Sequence, residues 1–241
     1  MNSLLEASPS LIDVRSVKFA TSVETFPLTV LSFDASHFST RAFETAGIEC
    51  PESIARSVAK RQAEFYSGRV AAKLALSPWG QEGRNIGIGS SREPIWPEGI
   101  LGSISHTDRH AVSVAIARGR HRGIGVDVER VMDAALCERV SSMVADDDEL
   151  ALLPPLGDAC PLETALTILF SSKESFFKGV FGEVGRYFDF AAVRILDFDL
   201  EAKAVRVRLV ESLNEELVSG REFVVWFELL EPDVVITLFV W

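Results

Sequence analysis

The sequence predicts a mixed fold of the α+β class, because segments with strand periodicity and segments with helix periodicity follow one another in blocks. The stretches 52–76 and 163–180 repeat apolar residues at helical spacing. The stretches 111–117 and 123–129 alternate apolar and other residues, as half-buried strands do. The order of strands, helix, strands, helices and strands also indicates two similar halves that join near residues 119–123.

The first half is expected to contain strands, one long helix and a long loop. Residues 17–33 are predicted to form strands around a turn at Pro27. The helix predicted over 52–76 contains Gly68, a residue that disfavours an unbroken helix. Residues 77–102 are rich in Gly, Pro and Ser and are expected to form mostly loop.

The second half is expected to begin as a hairpin and to end in a series of strands. The segments 111–117 and 123–129 are predicted to pair with each other across a short turn. Residues 133–153 are predicted to contain a helix that is interrupted at the acidic run 146–149, ahead of the helix 163–180. Four later segments have strand character, with a turn at 231–233 before the last: 187–198, 204–210, 222–230 and 234–241.

Composition is ordinary for a globular protein. Of the 241 residues, 47% are hydrophobic and 24% are charged. The longest apolar runs, such as 234–241, have the length of a strand and are too short for a bilayer span, so we expect no membrane helix. The three cysteines, Cys50, Cys137 and Cys160, lack C-x-x-C spacing, and no secretory signal is visible. We therefore expect neither a disulfide framework nor a zinc–thiolate site, and a cytoplasmic location.

The net charge of −11 argues against general nucleic-acid binding, which needs a basic surface. The charge is unevenly distributed: residues 1–120 carry 13 Lys and Arg against 12 Asp and Glu, whereas residues 121–241 carry 11 against 23. Residues 56–73 contain five basic residues and a single acidic one, Glu64. This run is either an anion-binding surface or the solvated face of a helix.

Two carboxylates lie together in the segment GIGVDVE. Asp127 and Glu129 are two residues apart, so on a strand they share one face while Val126 and Val128 share the other. Paired carboxylates suit a hard cation such as Mg²⁺, which often takes substrate phosphates as further ligands. In the alternative interpretation, the two carboxylates share a face only by chance, because any two residues at this spacing on a strand do so.

The segment FSSKESFFK at 170–178 places an acid and a base on one helix face. Glu174 and Lys178 are four residues apart, so either they form a surface ion pair or they act on a substrate. In the functional interpretation Glu174 binds metal or removes a proton, and Lys178 contacts a phosphate. The phenylalanines around them are expected to belong to the core.

A third segment, GSISHT at 102–107, precedes a predicted strand. Its Ser105 and His106 do not match a nucleophile elbow, which needs G-x-S-x-G ahead of a helix. A single histidine at the start of a strand is commonly structural. In a functional site, His106 would donate a hydrogen bond to a phosphate.

The four segments occur in a characteristic order: EFYSGRVAAKLAL (64–76), REPIWPEGILGSISHT (92–107), GIGVDVE (123–129) and FSSKESFFK (170–178). In this combination the chain closely resembles the 4′-phosphopantetheinyl transferases. Within that family it is similar to the monomeric, two-half surfactin-type group and to its enterobactin synthase component D subgroup. The motifs cover about half of the chain, from about 60 to 180.

The resemblance implies transfer of the phosphopantetheine arm of coenzyme A to a serine of an apo carrier protein, with release of adenosine 3′,5′-bisphosphate. It implies two α+β halves related by a pseudo-twofold axis, each a small antiparallel sheet with helices, with coenzyme A in the cleft between them. The N-terminal half, 1–121, would bind the nucleotide, and the C-terminal half, 122–241, would carry the metal and catalytic acids. The implied metal is Mg²⁺, with Mn²⁺ as an alternative.

The resemblance also implies roles for individual residues. Asp127 and Glu129 match metal ligands, and Glu174 matches a third acidic group that is also the favoured general base. Lys178 matches a lysine on the pyrophosphate. The positions that match coenzyme A contacts, or lie within the motifs that make them, are Arg61, Arg69, Arg92, Ser105, His106 and Lys173.

Two alternatives to transfer remain from the sequence. One is a hydrolase that uses Ser105 and His106, and the other is a non-catalytic relative that binds coenzyme A or carrier proteins. The resemblance implies that the carrier docks mainly on the second half, within 130–165, either through apolar contacts or through the scattered Arg130 and Arg139. The motifs do not identify the carrier or its pathway, whether siderophore, peptide, polyketide or fatty acid.

Overall fold

The computed structural model describes residues 8–81 and 83–241, and its contacts divide the chain into two units, Met1–Arg120 and His121–Trp241. Each unit packs one long helix against one antiparallel sheet. The predicted α+β class with two sheet-containing halves is therefore confirmed. Within the described residues no helix combines the length and the apolar character needed to span a membrane.

In residues 8–81 and 83–120 the first unit contains a four-stranded sheet, a small hairpin and three α-helices. The sheet has the order β1-β2-β6-β5 and consists of β1 (Leu11–Ala20), β2 (Thr25–Phe33), β5 (Ile100–His106) and β6 (His110–Ala117). The hairpin pairs β3 (Gly87–Ile88) with β4 (Pro94–Ile95). The helices are α1 (Arg41–Thr45), α2 (Glu52–Ala55) and α3 (Ala59–Ala75).

Helix α3 carries the core of the first unit and continues through its glycine. A methyl group on Gly68 would lie 3.1 Å from the side chain of Ile104 on β5, so the glycine allows the helix and the strand to approach closely. Tyr66 is fully buried, and its hydroxyl lies 2.5 Å from the Ser8 hydroxyl. Gly68 thus serves packing and does not interrupt the helix.

The predicted turn at Pro27 was wrong. The turn spans residues 21–24, where the Thr21 hydroxyl accepts the backbone N–H of Glu24 at 3.0 Å. Pro27 lies inside β2 opposite Lys18, one position before the β2–β6 pairing begins at Leu28. A proline is tolerated there because its missing N–H is not needed by the neighbouring strand.

The helix predicted over 52–76 is two helices, with a break at residues 56–58. The side chain of Gln62 donates hydrogen bonds to the carbonyl oxygens of Ala55 and Ser57, at 3.0 and 2.9 Å. These bonds satisfy carbonyls that lack helical partners at the break. The glutamine therefore stabilises the corner between α2 and α3.

The predicted hairpin of 111–117 with 123–129 was also wrong. Strand β6 pairs instead with β5, which includes the GSISH segment, and the loop prediction for 77–102 missed the start of that strand. The segment around GVDVE forms β7 (Ile124–Arg130), which belongs to the second unit and pairs with the last strand of the chain. Sequence proximity suggested a partner that the fold does not use.

The second unit contains a five-stranded sheet and three helices. Its order is β7-β11-β10-β9-β8, with β8 (Val193–Asp199), β9 (Ala204–Leu209), β10 (Glu222–Glu231) and β11 (Val234–Val240). The helices are α4 (Ala134–Val144), α5 (Asp147–Leu150) and α6 (Leu162–Val184). The break before the acidic run, the four late strands and the last turn agree with the prediction, except that β8 begins at residue 193 after a short 3₁₀ turn.

Glycines allow α6 to lie directly on β7. A methyl group on Gly125 would fall 1.9 Å from the carbonyl oxygen of Ser175, and one on Gly123 would fall 1.8 Å from that of Gly179. Such distances are far below van der Waals contact, so any larger residue would push the helix away. This close approach brings the motif on β7 to the motif on α6.

Candidate functional site

Asp127 is the centre of a buried polar cluster in the second unit. It is 2% exposed, and its carboxylate accepts two hydrogen bonds from α6. The Ser171 hydroxyl donates to Oδ2 at 2.7 Å, and the Lys178 ammonium donates to Oδ1 at 2.6 Å. The DVE and SSKES motifs are therefore in direct contact, although Asp127 and Ser171 lie 44 residues apart in sequence.

The spacing of α6 explains this contact. Ser171, Glu174 and Lys178 lie at positions i, i+3 and i+7, which fall on one face of a helix. Thr237 on β11 is the register partner of Asp127 and donates its hydroxyl proton to the carbonyl oxygen of Ser171 at 2.8 Å. The sequence prediction missed both Ser171 and Thr237, although a serine within SSKES was available as a signal.

The carboxyls of Glu129 and Glu174 are partly buried beside this cluster. Burial is the main cause that raises the pKa of Glu129 to about 8, and the negative charge of Asp127 adds to it. The nearby Lys178 ammonium acts in the opposite direction. Burial likewise raises the pKa of Glu174, with a contribution from Asp127 and an opposing one from Lys178. Three carboxyls thus influence one another electrostatically around one ammonium group.

The donor chemistry of this group fits a divalent metal. Carboxylate oxygens are the ligands that Mg²⁺ prefers, and a divalent charge would offset both the burial and the repulsion that raise the two pKa values. Within residues 8–81 and 83–241, however, no three His, Cys, Asp or Glu side chains form a complete metal-binding group. In the structure, Lys178 and Ser171 satisfy the carboxylate of Asp127 instead.

Lys173 has a different environment from its neighbour Glu174. Its ammonium lies 2.7 Å from Oε1 of Glu149, and the two side chains are 2% and 3% exposed. The sequence prediction did not single out Glu149, which lies at the end of the acidic run that was expected only to interrupt a helix. The run is only partly solvated, since its last residue is in the core.

A pocket of about 280 Å³ opens beside Glu174 in the second unit. Four of its eight lining residues are aromatic, and the Lys173 and Glu174 side chains contribute polar groups. The remaining lining residues are Phe177, Tyr187, Phe188, Asp189, Phe190 and Val193. The pocket offers an apolar surface next to a carboxyl group whose pKa is raised.

In the first unit, Arg61 and His106 are brought together. Nη1 of Arg61 lies 2.8 Å from Nε2 of His106. A guanidinium has only donors, so Nε2 is the acceptor in this contact. Arg61 also lies 3.5 Å from the carboxylate of Glu64. The end of β5 and the first turns of α3 therefore present basic groups side by side.

Arg69 is a buried cation on the same helix. It is only 8% exposed, and its guanidinium lies 4.8 Å from the centre of the Phe65 ring. Burial lowers its pKa to about 10. Among the described residues no carboxylate lies within ion-pair distance of Arg69. A buried guanidinium without an acidic partner is a suitable place for an anion.

The structure places Arg92 and Ser105 in different settings. Arg92 is exposed in the β3–β4 turn with φ of 68°, an unusual backbone conformation for a residue with a side chain. Ser105 is 6% exposed, on the opposite face of β5 from His106, because adjacent strand residues point in opposite directions. The two side chains therefore do not form a nucleophile–base pair, which argues against the hydrolase alternative.

Comparison with known proteins matches each half of the chain to one family. Residues 50–116 match the 4′-phosphopantetheinyl transferase N-terminal domain, and residues 123–228 match the 4′-phosphopantetheinyl transferase superfamily. The chain is 34% identical over 148 residues to the 4′-phosphopantetheinyl transferase Npt of Nocardia iowensis, and the match covers 61% of this chain and 64% of that protein.

Several relatives are enterobactin synthase component D proteins. The one from Salmonella typhimurium is 36% identical over 152 residues, and the match spans 63% of this chain but only 61% of the relative's own length. The one from Salmonella austin is 32% identical over 212 residues, which cover 88% of this chain and 84% of the relative. Since this likeness extends over most of both proteins and both halves match the same family, the chain belongs to the 4′-phosphopantetheinyl transferase superfamily.

Proposed function

We propose that the protein transfers the 4′-phosphopantetheine arm of coenzyme A to a serine hydroxyl of an apo carrier protein, producing holo carrier and adenosine 3′,5′-bisphosphate. The observation that carries this proposal is the contact between the DVE and SSKES motifs. That contact gathers two carboxyls with raised pKa values, a buried aspartate and a lysine in one unit of a superfamily member.

The residues of this cluster suit attack of a hydroxyl on a phosphate. Glu174 is the proposed general base, because a carboxyl with a raised pKa accepts a proton from serine more readily than an ordinary one. Lys178 carries a positive charge that would stabilise the negative charge that develops on the pyrophosphate oxygens. Asp127 holds Lys178 in position through the 2.6 Å contact.

Asp127, Glu129 and Glu174 are the residues proposed to hold Mg²⁺ or Mn²⁺. When bound, the ion would supply Lewis-acid stabilisation of the pyrophosphate. Each carboxylate oxygen of Asp127 accepts one hydrogen bond in the structure and has a second lone pair, so Asp127 could bind the ion while it still holds Lys178.

The basic groups of the first unit are proposed to bind the nucleotide end of coenzyme A. Arg69 offers a buried guanidinium, and Arg61 and His106 lie 2.8 Å apart at the end of β5. A planar guanidinium can bind two oxygens of one phosphate, which suits the 3′-phosphate. Arg92 and the backbone near Ser105 are proposed to contact the adenine end.

The aromatic pocket beside Glu174 is proposed to receive the pantetheine arm. The arm is largely uncharged and flexible, and a pocket of about 280 Å³ with four aromatic rings would hold it next to the proposed base. The motifs do not identify the class of carrier protein that accepts the arm. Since several relatives are named enterobactin synthase component D, we propose a carrier of siderophore or other secondary metabolism.

A panel of apo carriers tests the proposal. Purified protein, coenzyme A and Mg²⁺ are incubated with aryl, peptidyl, polyketide and fatty-acid carriers, and intact mass is measured. The expected result is a gain of one phosphopantetheine on at least one carrier, lost when its serine is replaced by alanine and in the Asp127→Ala variant. Binding of coenzyme A without a mass gain on any carrier would instead support the non-catalytic alternative.

A further inference from the structure

The buried pair of Lys173 and Glu149 connects three elements of the second unit. The Lys173 ammonium lies 2.7 Å from Oε1 and 2.9 Å from Oε2 of Glu149, so it binds both oxygens. Both side chains are almost completely excluded from water. Such a pair costs desolvation energy and is retained only with good geometry and additional hydrogen bonds.

Glu149 has those additional bonds. Its Oε1 accepts the backbone N–H of Ile195 on β8 at 2.7 Å, and its Oε2 accepts the backbone N–H of Asp146 at 2.9 Å. Asp146 in turn accepts the N–H of Glu149, which completes a capping box at the start of α5. The carboxylate thus joins α5 and β8, and through Lys173 it joins both to α6.

Lys173 also reaches the wall of the aromatic pocket. Its ammonium lies 3.4 Å from the carbonyl oxygen of Phe190, one of the residues that line the pocket beside Glu174. The residue that precedes Glu174 is therefore attached both to the α5–β8 corner and to Phe190, a second lining residue of the pocket. These contacts restrict rotation and sliding of the central turn of α6.

We propose that Lys173 and Glu149 are positioning residues that hold the central turn of α6 in the orientation in which Glu174 faces the pocket. This inference rests on the proposed transferase function. It differs from the expectation that groups Lys173 with the coenzyme A contacts, because here the ammonium is buried against a carboxylate. The pair acts on the reaction through Glu174 and does not touch the substrate.

Two single variants test the pair. Glu149→Gln keeps the size of the side chain and removes its charge, and Lys173→Met keeps the length of the stem and removes the ammonium. For each, kcat is expected to fall at least about tenfold, because small errors in the position of a catalytic group are costly. The KM for coenzyme A, and its affinity measured by calorimetry without carrier, are expected to stay within about threefold of wild type.

A double-mutant cycle separates positioning from direct contact. If Lys173 acts through Glu149, the variant Glu149→Gln/Lys173→Met loses no more kcat than the worse single variant. If Lys173→Met instead weakens coenzyme A binding about tenfold with kcat unchanged, the residue is a direct ligand and the proposal is overturned. A folded Glu149→Gln variant with normal kcat overturns it as well.

A matched control and a folding control complete the test. Lys203 and Glu228 form an exposed ion pair in the same unit, with side chains 52% and 37% exposed, so Glu228→Gln is expected to leave kcat unchanged. Should a single variant fail to fold because it leaves a buried charge unpaired, the double variant removes both charges and answers the same question. Normal kcat in the folded double variant would overturn the proposal.

The outcome for wild type distinguishes this inference from the proposed function. If wild type modifies no carrier in the panel, the proposed function fails, and the positioning role that rests on it fails with it. If wild type transfers the arm while the variants also do so at the normal rate, only the positioning role fails. Thermal unfolding of each variant is recorded beside kcat, so that a loss of folded protein is not counted as a loss of positioning.

Discussion

At the scale of single residues, each unit contains a group whose charge is costly to bury. Arg69 has a pKa lowered to about 10 by burial, whereas Glu129 has a pKa raised to about 8 by burial and by neighbouring acids. Each shift indicates a charge that the protein alone compensates incompletely. A bound ligand of opposite charge, a phosphate for the first and a metal for the second, would complete the compensation.

Arg69 is predicted to bind the 3′-phosphate of coenzyme A. Wild type should prefer coenzyme A to dephospho-coenzyme A by at least about tenfold, since charge-assisted hydrogen bonds contribute about 1.5–3 kcal/mol. Arg69→Ala should reduce that preference by weakening coenzyme A alone. Dissociation constants of both donors, measured for wild type and variant, provide the comparison.

The control for this prediction is Arg56→Ala. Arg56 lies near the same helix but is exposed and forms an ion pair with Glu52. It should change neither donor's affinity. If Arg69→Ala lowers the affinity for both donors equally, the arginine supports the fold and does not bind the 3′-phosphate.

Glu129 is predicted to make the metal-free protein less stable as pH rises. In the folded chain its pKa is about 8, whereas its ordinary value is 4.5, so the folded state binds the extra proton between these values. Its contribution to stability is complete below about pH 4.5 and is lost as pH rises towards 8. Each pKa unit corresponds to at most about 1.4 kcal/mol, and less where water screens the group.

Mg²⁺ should replace that proton. The rise in Tm on addition of Mg²⁺ should therefore be larger at pH 8 than at pH 6, and Glu129→Gln should remove most of the pH dependence. Scanning calorimetry in EDTA and in Mg²⁺ at both pH values gives the four Tm values that this comparison needs. A Tm rise that is equal at the two pH values would contradict a shared proton and metal site at Glu129.

At the scale of elements, the contact between β7 and α6 determines whether the two motifs meet. Gly125 lies opposite Ser175, and a methyl group there would be 1.9 Å from its carbonyl oxygen. Displacement of α6 would separate Ser171 and Lys178 from Asp127. The G-x-G of the GIGVDVE segment is therefore a packing requirement of the site.

Gly125→Ala is predicted to destabilise the protein by about 1–3 kcal/mol, the usual cost of overpacking, and to reduce transfer strongly in the molecules that remain folded. Urea unfolding and kcat per folded molecule measure the two effects. Gly182→Ala is the matched control on the same helix, since a methyl group at Gly182 would meet no atom within 4 Å. That variant should be neutral or slightly more stable.

At the scale of the whole molecule, the charge distribution predicts which forces contribute to the binding of a carrier. The net charge is −11, and the acidic excess lies in residues 121–241, the half that is expected to receive the carrier. Carriers of this kind are usually acidic too. Docking should therefore rest on apolar contact, with little electrostatic attraction at long range.

Added salt should therefore not slow the association of the protein with an acidic carrier. With coenzyme A saturating, kcat/KM for an acidic carrier is expected to stay constant or to rise up to about threefold between about 50 and 300 mM NaCl, because salt screens repulsion. Initial rates at several carrier concentrations measure this. A steep fall with salt would indicate a cationic docking surface and contradict the prediction.

The sequence by itself determined the class, the family and the motifs that contain most of the candidate site residues, but it did not indicate Ser171, Thr237 or Glu149. Helix and strand periods are local properties, and each motif contains its chemical groups within a few residues. Asp127 and Glu129 share a strand, and Glu174 and Lys178 share a helix face, for reasons of spacing alone. No long-range information was needed for these predictions.

Only the tertiary structure decided which elements pair and which polar groups are buried together. The expected hairpin of 111–117 with 123–129 failed because strand pairing depends on contacts across the whole unit, and β7 finds its partner in β11. Lys173 has Glu149 as its partner for the same reason. A buried charge is stabilised by whichever group the fold brings within hydrogen-bond distance, and that group lies far away along the chain.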